Sequence, residues 1–141
     1  MKTIKILLSV FPLLILSAQL FSQPSYQWMR RYNSPADHHD YGGECAYDNA
    51  GNYYICGTTL IGGVTSDITL LKYSSAGVLI WSRQYNGPSN SNDEPQGGIS
   101  VDNSGNIYLA GFSYSSSSNY DYLLLKYNSS GTLWVNRDDG P

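Results

Sequence analysis

The sequence predicts an all-β fold: two four-stranded antiparallel units with one extra strand before them. Three observations predict it. Landmark residues recur at a spacing of 53 or 54 through the 141-residue chain. Turn motifs separate short runs that are rich in β-branched and aromatic residues. No stretch after the N-terminus shows the 3.6-residue apolar period of a helix, so we expect almost no helix there.

The repeat divides the chain into segments of nearly equal length. Tryptophans and prolines recur at 53, whereas an aspartate and two glycines recur at 54. The matching residues are Trp28, Trp81 and Trp134; Pro35, Pro88 and Pro141; Asp48 and Asp102; Gly51 and Gly105; Gly57 and Gly111. One residue lost between Gly131 and Trp134 explains the change from 54 to 53. We therefore expect repeat 1 in residues 36–88 and repeat 2 in 89–141, preceded by an isolated strand in 23–35 that completes a preceding unit, or blade.

Each repeat contains signals for four strands. In repeat 1 the first two strands are expected at residues 43–47 and 52–58, joined by the turn Asp48-Asn-Ala-Gly-Asn. Asp and Asn bond their own backbone in such turns, and glycine accepts positive φ. The third strand is expected at 67–73 (DITLLKY) and the fourth at 81–85, before the turn Asn-Gly-Pro.

The N-terminal residues 1–22 predict a secretory signal peptide. Lys2 and Lys5 precede an apolar run over 6–16, and small residues allow cleavage after Ala18 or Ser22. The run contains a proline and is shorter than the roughly 20 apolar residues of a membrane span. We therefore expect an exported bacterial protein, secreted or on the cell surface, with no membrane span after cleavage.

Charge excludes one class of partner. Removal of the leader leaves six scattered basic residues against eleven acidic ones, hence a net charge of about −5. Nucleic-acid binding depends on clustered Lys and Arg, so we expect no nucleic-acid partner.

Four-stranded units of about 50 residues with two apolar faces predict the blades of a β-propeller. The tryptophans are then expected as apolar plugs between adjacent blades. Propellers close with about 4 to 8 blades, so two blades form an incomplete ring. Further repeat units of a longer chain, or several identical chains, would be needed to close it. A solenoid of sheets is the alternative architecture.

Three motifs resemble the SBBP-type bacterial β-propeller repeat of secreted proteins. They are the hairpins Asp48-x-x-Gly-Asn-x-Tyr and Asp102-x-x-Gly-Asn-x-Tyr, the strands from Asp67 to Tyr73 and from Asp121 to Tyr127, and the segment Trp81-x-Arg-x-Tyr-Asn-Gly-Pro. The resemblance implies an extracellular propeller without a common activity. The NHL-type repeat shares the hairpin but lacks the other two motifs. The last copy departs from the pattern, with Asn136 and Asp138 in place of Arg and Tyr, so its fourth strand is expected to be the weakest.

Several side chains are candidates for chemistry. Asp37, His38, His39 and Asp40 together resemble a transition-metal site, but the matching loop 90–93 has no histidine, which favours a solvated loop. Pairing Asp48 with Tyr53 would place Cys45 opposite Cys56 and allow a disulfide in an exported protein. Their counterparts Ile99 and Ala110 favour two buried thiols instead, and both alternatives remain open.

Other motifs indicate structure rather than catalysis. Asp48 and Asp102 lack the ligand ladder of a calcium loop and are expected to form turns. Asp67 and Lys72, like Asp121 and Lys126, are five apart and therefore point to opposite faces of a strand, where each can meet a neighbouring unit. The turn Gly131-Thr-Leu-Trp resembles a sialidase Asp-box, but Ser129 replaces its aspartate.

We accordingly predict no catalytic residue, no metal ligand and no cofactor. The function favoured is a non-catalytic exported β-propeller repeat segment that acts as a scaffold or binding module for an unknown protein or glycan ligand, as the N-terminal part of a longer repeat protein. One alternative is a lectin-like sugar-binding propeller assembled from several two-blade chains. A fragment of an exported propeller hydrolase is the third hypothesis.

Overall fold

The computed structural model describes residues 27–115 and 119–138. The predicted leader, its cleavage sites and the first residues of the predicted extra strand lie outside the described residues. Within the described part of the chain all regular structure is β, and no helix there has the length and apolarity needed to cross a bilayer.

Eight strands form two four-stranded antiparallel sheets, as the sequence predicted. Sheet 1 contains β1 (Asp40–Tyr47), β2 (Tyr53–Ile61), β3 (Thr65–Tyr73) and β4 (Leu79–Tyr85). Sheet 2 contains β5 (Asp93–Val101), β6 (Ile107–Tyr114), β7 (Tyr120–Tyr127) and β8 (Leu133–Asp138). In each sheet the spatial order is the chain order, so each sheet is a meander of hairpins. The strand-forming runs extend by up to three residues beyond the predicted limits.

Irregularities in strand pairing explain the change between the two repeat spacings. The register of β1 against β2 shifts between Gly42 and Cys45, and that of β5 against β6 shifts between Pro95 and Ile99. The second shift spans one more residue, which changes the spacing from 53 to 54. A bulge in the β3–β4 pairing at Lys72 has no counterpart in the β7–β8 pairing, and this returns the spacing to 53. The residue predicted to be lost before Trp134 is the bulge residue.

The two faces of each sheet have different neighbours. We call the face of sheet 1 that packs on sheet 2 its back face, and the opposite side its front face; equivalent positions of sheet 2 take the same names. Front-face positions are Tyr53, Ile55, Thr69, Leu71 and Tyr73 in sheet 1, and Ile107, Leu109, Leu123, Leu125 and Tyr127 in sheet 2. Back-face positions are Tyr54, Cys56, Ile68, Leu70 and Lys72 in sheet 1, and Tyr108, Ala110, Tyr122, Leu124 and Lys126 in sheet 2.

The hydrophobic core lies between the back face of sheet 1 and the front face of sheet 2. Strand β5 lies against β1, β2 and β3, and apolar side chains of both sheets form one buried cluster. Trp81 packs against this cluster as a partly buried side chain, in agreement with its predicted place between units. Burial of these side chains is the main favourable contribution to the packing of the two sheets.

Equivalent strands of the two sheets differ in burial. Every residue of β3 after the first is buried, because sheet 2 covers its back face and the N-terminal segment lies against its front face. In β7 burial alternates, with front-face residues buried and Tyr120, Tyr122 and Leu124 exposed. The alternation shows that sheet 2 is covered on one side only.

The pair Leu70 and Leu124 tests this arrangement, because the two residues are equivalent in sequence. Leu70 is completely buried, whereas Leu124 is 38% exposed. We expect Leu70→Ala to lower the free energy of unfolding by about 2 to 5 kcal/mol. Leu124→Ala, the matched control, should lower it by roughly 1 kcal/mol or less. Urea denaturation of both variants measures the difference, and equal losses would contradict a core placed between the sheets.

Candidate functional site

A tryptophan and an arginine two residues apart connect sheet 1 to sheet 2; we call them a Trp–Arg pair. Arg83 Nε donates a hydrogen bond to Gly131 O at 2.9 Å, and Arg83 Nη2 donates to Ser130 O at 3.1 Å. Trp81 Nε1 donates to Ser129 O at 3.4 Å. All three acceptors are backbone carbonyls of the β7–β8 turn. The Arg83 guanidinium also lies 5.2 Å from the centroid of the Trp81 ring, so the two side chains support each other.

Lys72 adds a second cation to the same turn. Its Nζ donates to Ser129 O at 3.2 Å and lies 5.1 Å from the centroid of the Tyr54 ring. Asp67, five residues earlier, lies on the opposite face of β3. Lys72 therefore meets the neighbouring unit through a backbone oxygen rather than through a carboxylate.

The N-terminal segment repeats the Trp–Arg pair on sheet 1. Trp28 Nε1 donates to Ser75 O at 3.0 Å, and Arg30 Nε donates to Gly77 O at 2.7 Å. The Trp28 ring lies 5.5 Å from the ring of Tyr53 and 6.2 Å from that of Tyr73. Described residues 27–35 contain no strand, yet they contact the β3–β4 turn as β4 contacts the β7–β8 turn. Their predicted role in completing a preceding blade stays a prediction.

Both acceptor turns require glycine. Gly77 has a φ of 73° and Gly131 a φ of 83°, values that side-chain-bearing residues rarely adopt. A Cβ atom at Gly77 would lie 2.6 Å from the Trp28 ring, and one at Gly131 would lie 2.7 Å from Arg83 Nε. Glycine therefore serves both the turn conformation and the close approach of the Trp–Arg pair.

The back face of sheet 2 presents the same chemistry to solvent. Tyr122 is 83% exposed and Trp134 is 55% exposed, although their sheet 1 counterparts are buried or partly buried. Lys126 Nζ lies 5.2 Å from the centroid of the Tyr108 ring, in the arrangement of Lys72 and Tyr54. The third Trp–Arg pair is incomplete, because Asn136 occupies the arginine position. Sheet 2 thus exposes a modified copy of the surface that sheet 1 buries.

The residues considered as metal ligands, Asp37 to Asp40, lie in a loop, and the two aspartates accept hydrogen bonds there. Asp40 accepts hydrogen bonds from Ser34 N and from Thr59 Oγ1, each at 2.8 Å, and Asp37 accepts one from Asn33 Nδ2. His38 and His39 are exposed. Among the described residues, no group of three or more His, Cys, Asp or Glu is placed to hold a metal ion. The equivalent loop of sheet 2 has the same bonds, from Asn86 to Asn90 and from Gly87 N to Asp93.

The register of β1 and β2 corrects the cysteine prediction. Tyr47 pairs with Tyr53, so Cys45 lies opposite Ile55 rather than opposite Cys56. Neighbouring strand residues point to opposite faces, and Cys56 is accordingly buried while Cys45 is exposed. Both are free thiols, and burial raises the pKa of Cys56. The expectation of two buried thiols is correct for Cys56 and wrong for Cys45.

The hairpin aspartates act as turn acceptors. Asp48 accepts bonds from Ala50 N, from the backbone and side chain of Asn52, and from Tyr54 Oη at 2.8 to 3.0 Å. Asp102 repeats this set, and its bonds with Asn106 lower its pKa to about 2. Every oxygen of both carboxylates accepts protein donors, which agrees with the predicted role in turns.

The turn that resembles a sialidase Asp-box is also shaped by side-chain acceptors. Asn128 Oδ1 accepts bonds from Ser130 N and Thr132 N at 3.1 and 2.8 Å, and so shapes the turn that presents Gly131 O to Arg83. The turn is an acceptor for the Trp–Arg pair.

Sequence reasoning treated the tryptophans as apolar plugs and missed the donor role of the indole and of Arg83. The recurrence of Trp-x-Arg at a spacing of 53, with a Ser-x-Gly or Ser-Gly turn 47 or 48 residues later, was the available signal.

Comparison with known proteins does not identify a family or a relative with this surface. No protein-family model matches the sequence, and no curated protein resembles it closely enough to count as a relative.

Removal of the Arg83 donors tests the Trp–Arg pair. Arg83→Gln leaves a shorter side chain that cannot reach both carbonyls of the β7–β8 turn, so we expect a loss of about 1 to 3 kcal/mol in unfolding free energy. Arg31→Gln removes the same charge from an exposed position and should change stability by less than about 0.5 kcal/mol. Urea denaturation measures both, and a neutral Arg83→Gln would show that the contact contributes nothing.

The buried Asp67 carboxylate should make the unfolding free energy depend on pH. Burial, together with the charge of Asp93, raises the pKa of Asp67 to about 6. The folded state therefore binds the proton more tightly than the unfolded state, and this contribution to stability is full below about pH 4 and lost as the pH rises to about 6. Asp67→Asn should raise the unfolding free energy at pH 7 by on the order of 1 to 3 kcal/mol. In thermal denaturation the gain should vanish at pH 3; an equal gain at both pH values would contradict this assignment.

Proposed function

We propose that this chain is a non-catalytic, exported β-propeller repeat segment that acts as a scaffold or binding module. The observation that carries the proposal is the back face of sheet 2. At equivalent positions it exposes Tyr122 and Leu124 and leaves Lys126 half-buried, where sheet 1 buries its own residues against sheet 2. A unit with such a face is stable when a neighbour covers it.

The manner of packing supports stacking of units. The two sheets are meanders of equal strand order, and the Trp–Arg pair of one segment binds the β3–β4 type of turn in the next. Repeat arrays derive their stability from contacts between nearest neighbours, and radial arrays of four-stranded sheets are propellers. The SBBP-like motifs Asp48 to Tyr54 and Asp67 to Tyr73 coincide with the β1–β2 turn and with β3, which supports the proposal.

The structural hydrogen bonds of several charged side chains favour a binding role rather than catalysis. The carboxylates of Asp40, Asp48 and Asp102 are occupied by hydrogen bonds within loops and turns. The cations of Lys72 and Arg83 bind backbone oxygens of the neighbouring sheet. Export to the cell surface or medium is proposed from the leader-like residues 1–22 and from the SBBP resemblance.

A lectin-like propeller is the second candidate, and the exposed aromatic residues favour it. Tyr120, Tyr122 and Trp134 are all exposed on sheet 2. Flat aromatic side chains with a polar group suit contact with the apolar face of a sugar ring. In this case the exposed face binds a glycan instead of another unit.

An added repeat tests the proposal. A copy of residues 89–141 placed after Pro141 continues the repeat in register, and the Trp134→Phe variant of each chain gives the contribution of Trp134 to the emission by difference. We expect Trp134 emission to shift to shorter wavelength and the urea midpoint to rise, because the new unit covers Trp134 as sheet 2 covers Trp81.

The matched control is the same chain with the change equivalent to Gly131→Ala in the added copy, which removes the acceptor turn. Unchanged emission and midpoint in both chains would contradict stacking. Glycan-dependent quenching of Trp134 in the original chain, abolished by Tyr122→Ala, would favour the lectin.

A further inference from the structure

Two surfaces at opposite ends of the described chain repeat the two halves of the interface between the sheets. The first is the exposed back face of sheet 2. The second is the front face of sheet 1, where a cavity of about 210 Å³ is lined by residues that include Ile55, Leu71 and Tyr73. The counterparts of these three in sheet 2 are Leu109, Leu125 and Tyr127, which pack against Ile68 and Leu70 of sheet 1 in the core. The cavity therefore lies where the back face of another unit would insert side chains.

The fourth strand of sheet 2 is poorly suited to a covered sheet. In sheet 1, β3 pairs Leu70 with Arg83 and Ile68 with Tyr85, which is buried. At the equivalent positions of sheet 2, Leu124 pairs with Asn136 and Tyr122 with Asp138. In sequence, β8 therefore lacks both the arginine and the tyrosine that β4 has at these positions.

The N-terminal segment has the residues that β8 lacks. Trp28, Arg30 and Tyr32 correspond to Trp81, Arg83 and Tyr85 of β4 at a spacing of 53. Trp28 and Arg30 bind the β3–β4 turn just as the residues of β4 bind the β7–β8 turn. Within the described chain this segment pairs with no strand, so its backbone is available to a β-strand edge.

We propose that a second copy of this chain covers the back face of sheet 2, with its residues 28–32 paired to β7 in place of β8. The inference rests on the proposed stacking of repeat units. Tyr122 and Leu124 of one copy then enter the cavity beneath Arg30 and Tyr32 of the other. The Trp28–Arg30 contacts stay intact, since β4 likewise pairs with β3 while it binds the next turn.

Residues 133–136 of β8 have exposed side chains, whereas β4 is half-buried and ends in the buried Tyr85. The pairs that β8 makes with β7 would be replaced by those of residues 28–32. The two joining surfaces are different and lie on opposite sides of the molecule, so the association is head-to-tail and produces a ring or an open filament. A second copy is the occupant because one chain carries both surfaces.

Intermolecular disulfide formation tests the register. Tyr122 should lie opposite Tyr32 of the second copy, as Ile68 lies opposite Tyr85. We would prepare Tyr32→Cys and Tyr122→Cys as separate proteins, each with Cys45→Ser, and mix them under mild oxidation. Directly opposed strand residues are within disulfide range. The mixture should give a disulfide-linked heterodimer at least about tenfold more abundant than a control mixture of Tyr32→Cys with Val64→Cys.

Sedimentation measures the association itself. The wild-type chain should form head-to-tail oligomers with rising concentration, and Leu124→Glu should raise their dissociation constant at least about tenfold. Val64→Glu adds the same charge at an exposed turn and should leave association unchanged. Circular dichroism and the urea midpoint confirm that both variants fold.

A wild-type chain that stays monomeric, or oligomers without the 32–122 disulfide, would overturn the inference. The proposed stacking of units is tested independently, by the chain that carries an added repeat. If the wild-type chain stays monomeric while the added repeat docks, only the pairing of residues 28–32 with a second copy is contradicted, and the stacking of units stands.

Discussion

The fold depends on one contact between units, the capture of backbone carbonyls in a glycine turn by a tryptophan and an arginine. Because the acceptors are Ser129 O, Ser130 O and Gly131 O, the contact requires the turn geometry and tolerates changes in its side chains. The donors and their acceptors lie 47 residues apart in the first contact and 48 apart in the Trp81 and Arg83 Nε contacts. The hydrophobic core supplies most of the packing energy, but a non-directional force does not select one register. The hydrogen bonds select it.

Local signals determined how much of the fold could be predicted. The Asp48 and Asp102 turns and the runs before Tyr73 and Tyr127 carry their own chemistry, so strand number, order and approximate limits followed from sequence. The pairing of Cys45 did not follow. The expected pair Asp48–Tyr53 makes the turn one residue too short; Tyr47 pairs with Tyr53 instead, and the ladder from that pair to Cys45 is regular. One residue more in the turn changes the partner of every residue in the strand, so Cys45 lies opposite Ile55.

The site was harder to predict than the fold because its acceptors are backbone atoms. A search for clustered acids, histidines or cysteines finds Asp37 to Asp40 and Cys45, which the structure assigns to a loop and to an exposed thiol. The residues that join the units, Trp81 and Arg83, interact with carbonyls that every residue has, so no partner side chain marks the site. The signal in the sequence was the recurrence of Trp-x-Arg together with a glycine turn 47 or 48 residues later, and the structure shows that positive φ and close approach exclude a side chain at that glycine.

Strands β7 and β8 of sheet 2 differ in how closely they match their counterparts in sheet 1. Terminal units of repeat arrays carry polar residues on their outer face. Strand β7 does not have polar residues on its outer face. Tyr122 and Leu124 lie there beside Lys126, at the positions where β3 has buried residues. Strand β8 exposes Trp134 on the same face, but it has Asn136 where sheet 1 has Arg83. The match to a surface that a neighbour covers is therefore closer in β7 than in β8. Whatever covers sheet 2 must accommodate or displace β8, and the Trp28 segment matches the position of that strand residue by residue.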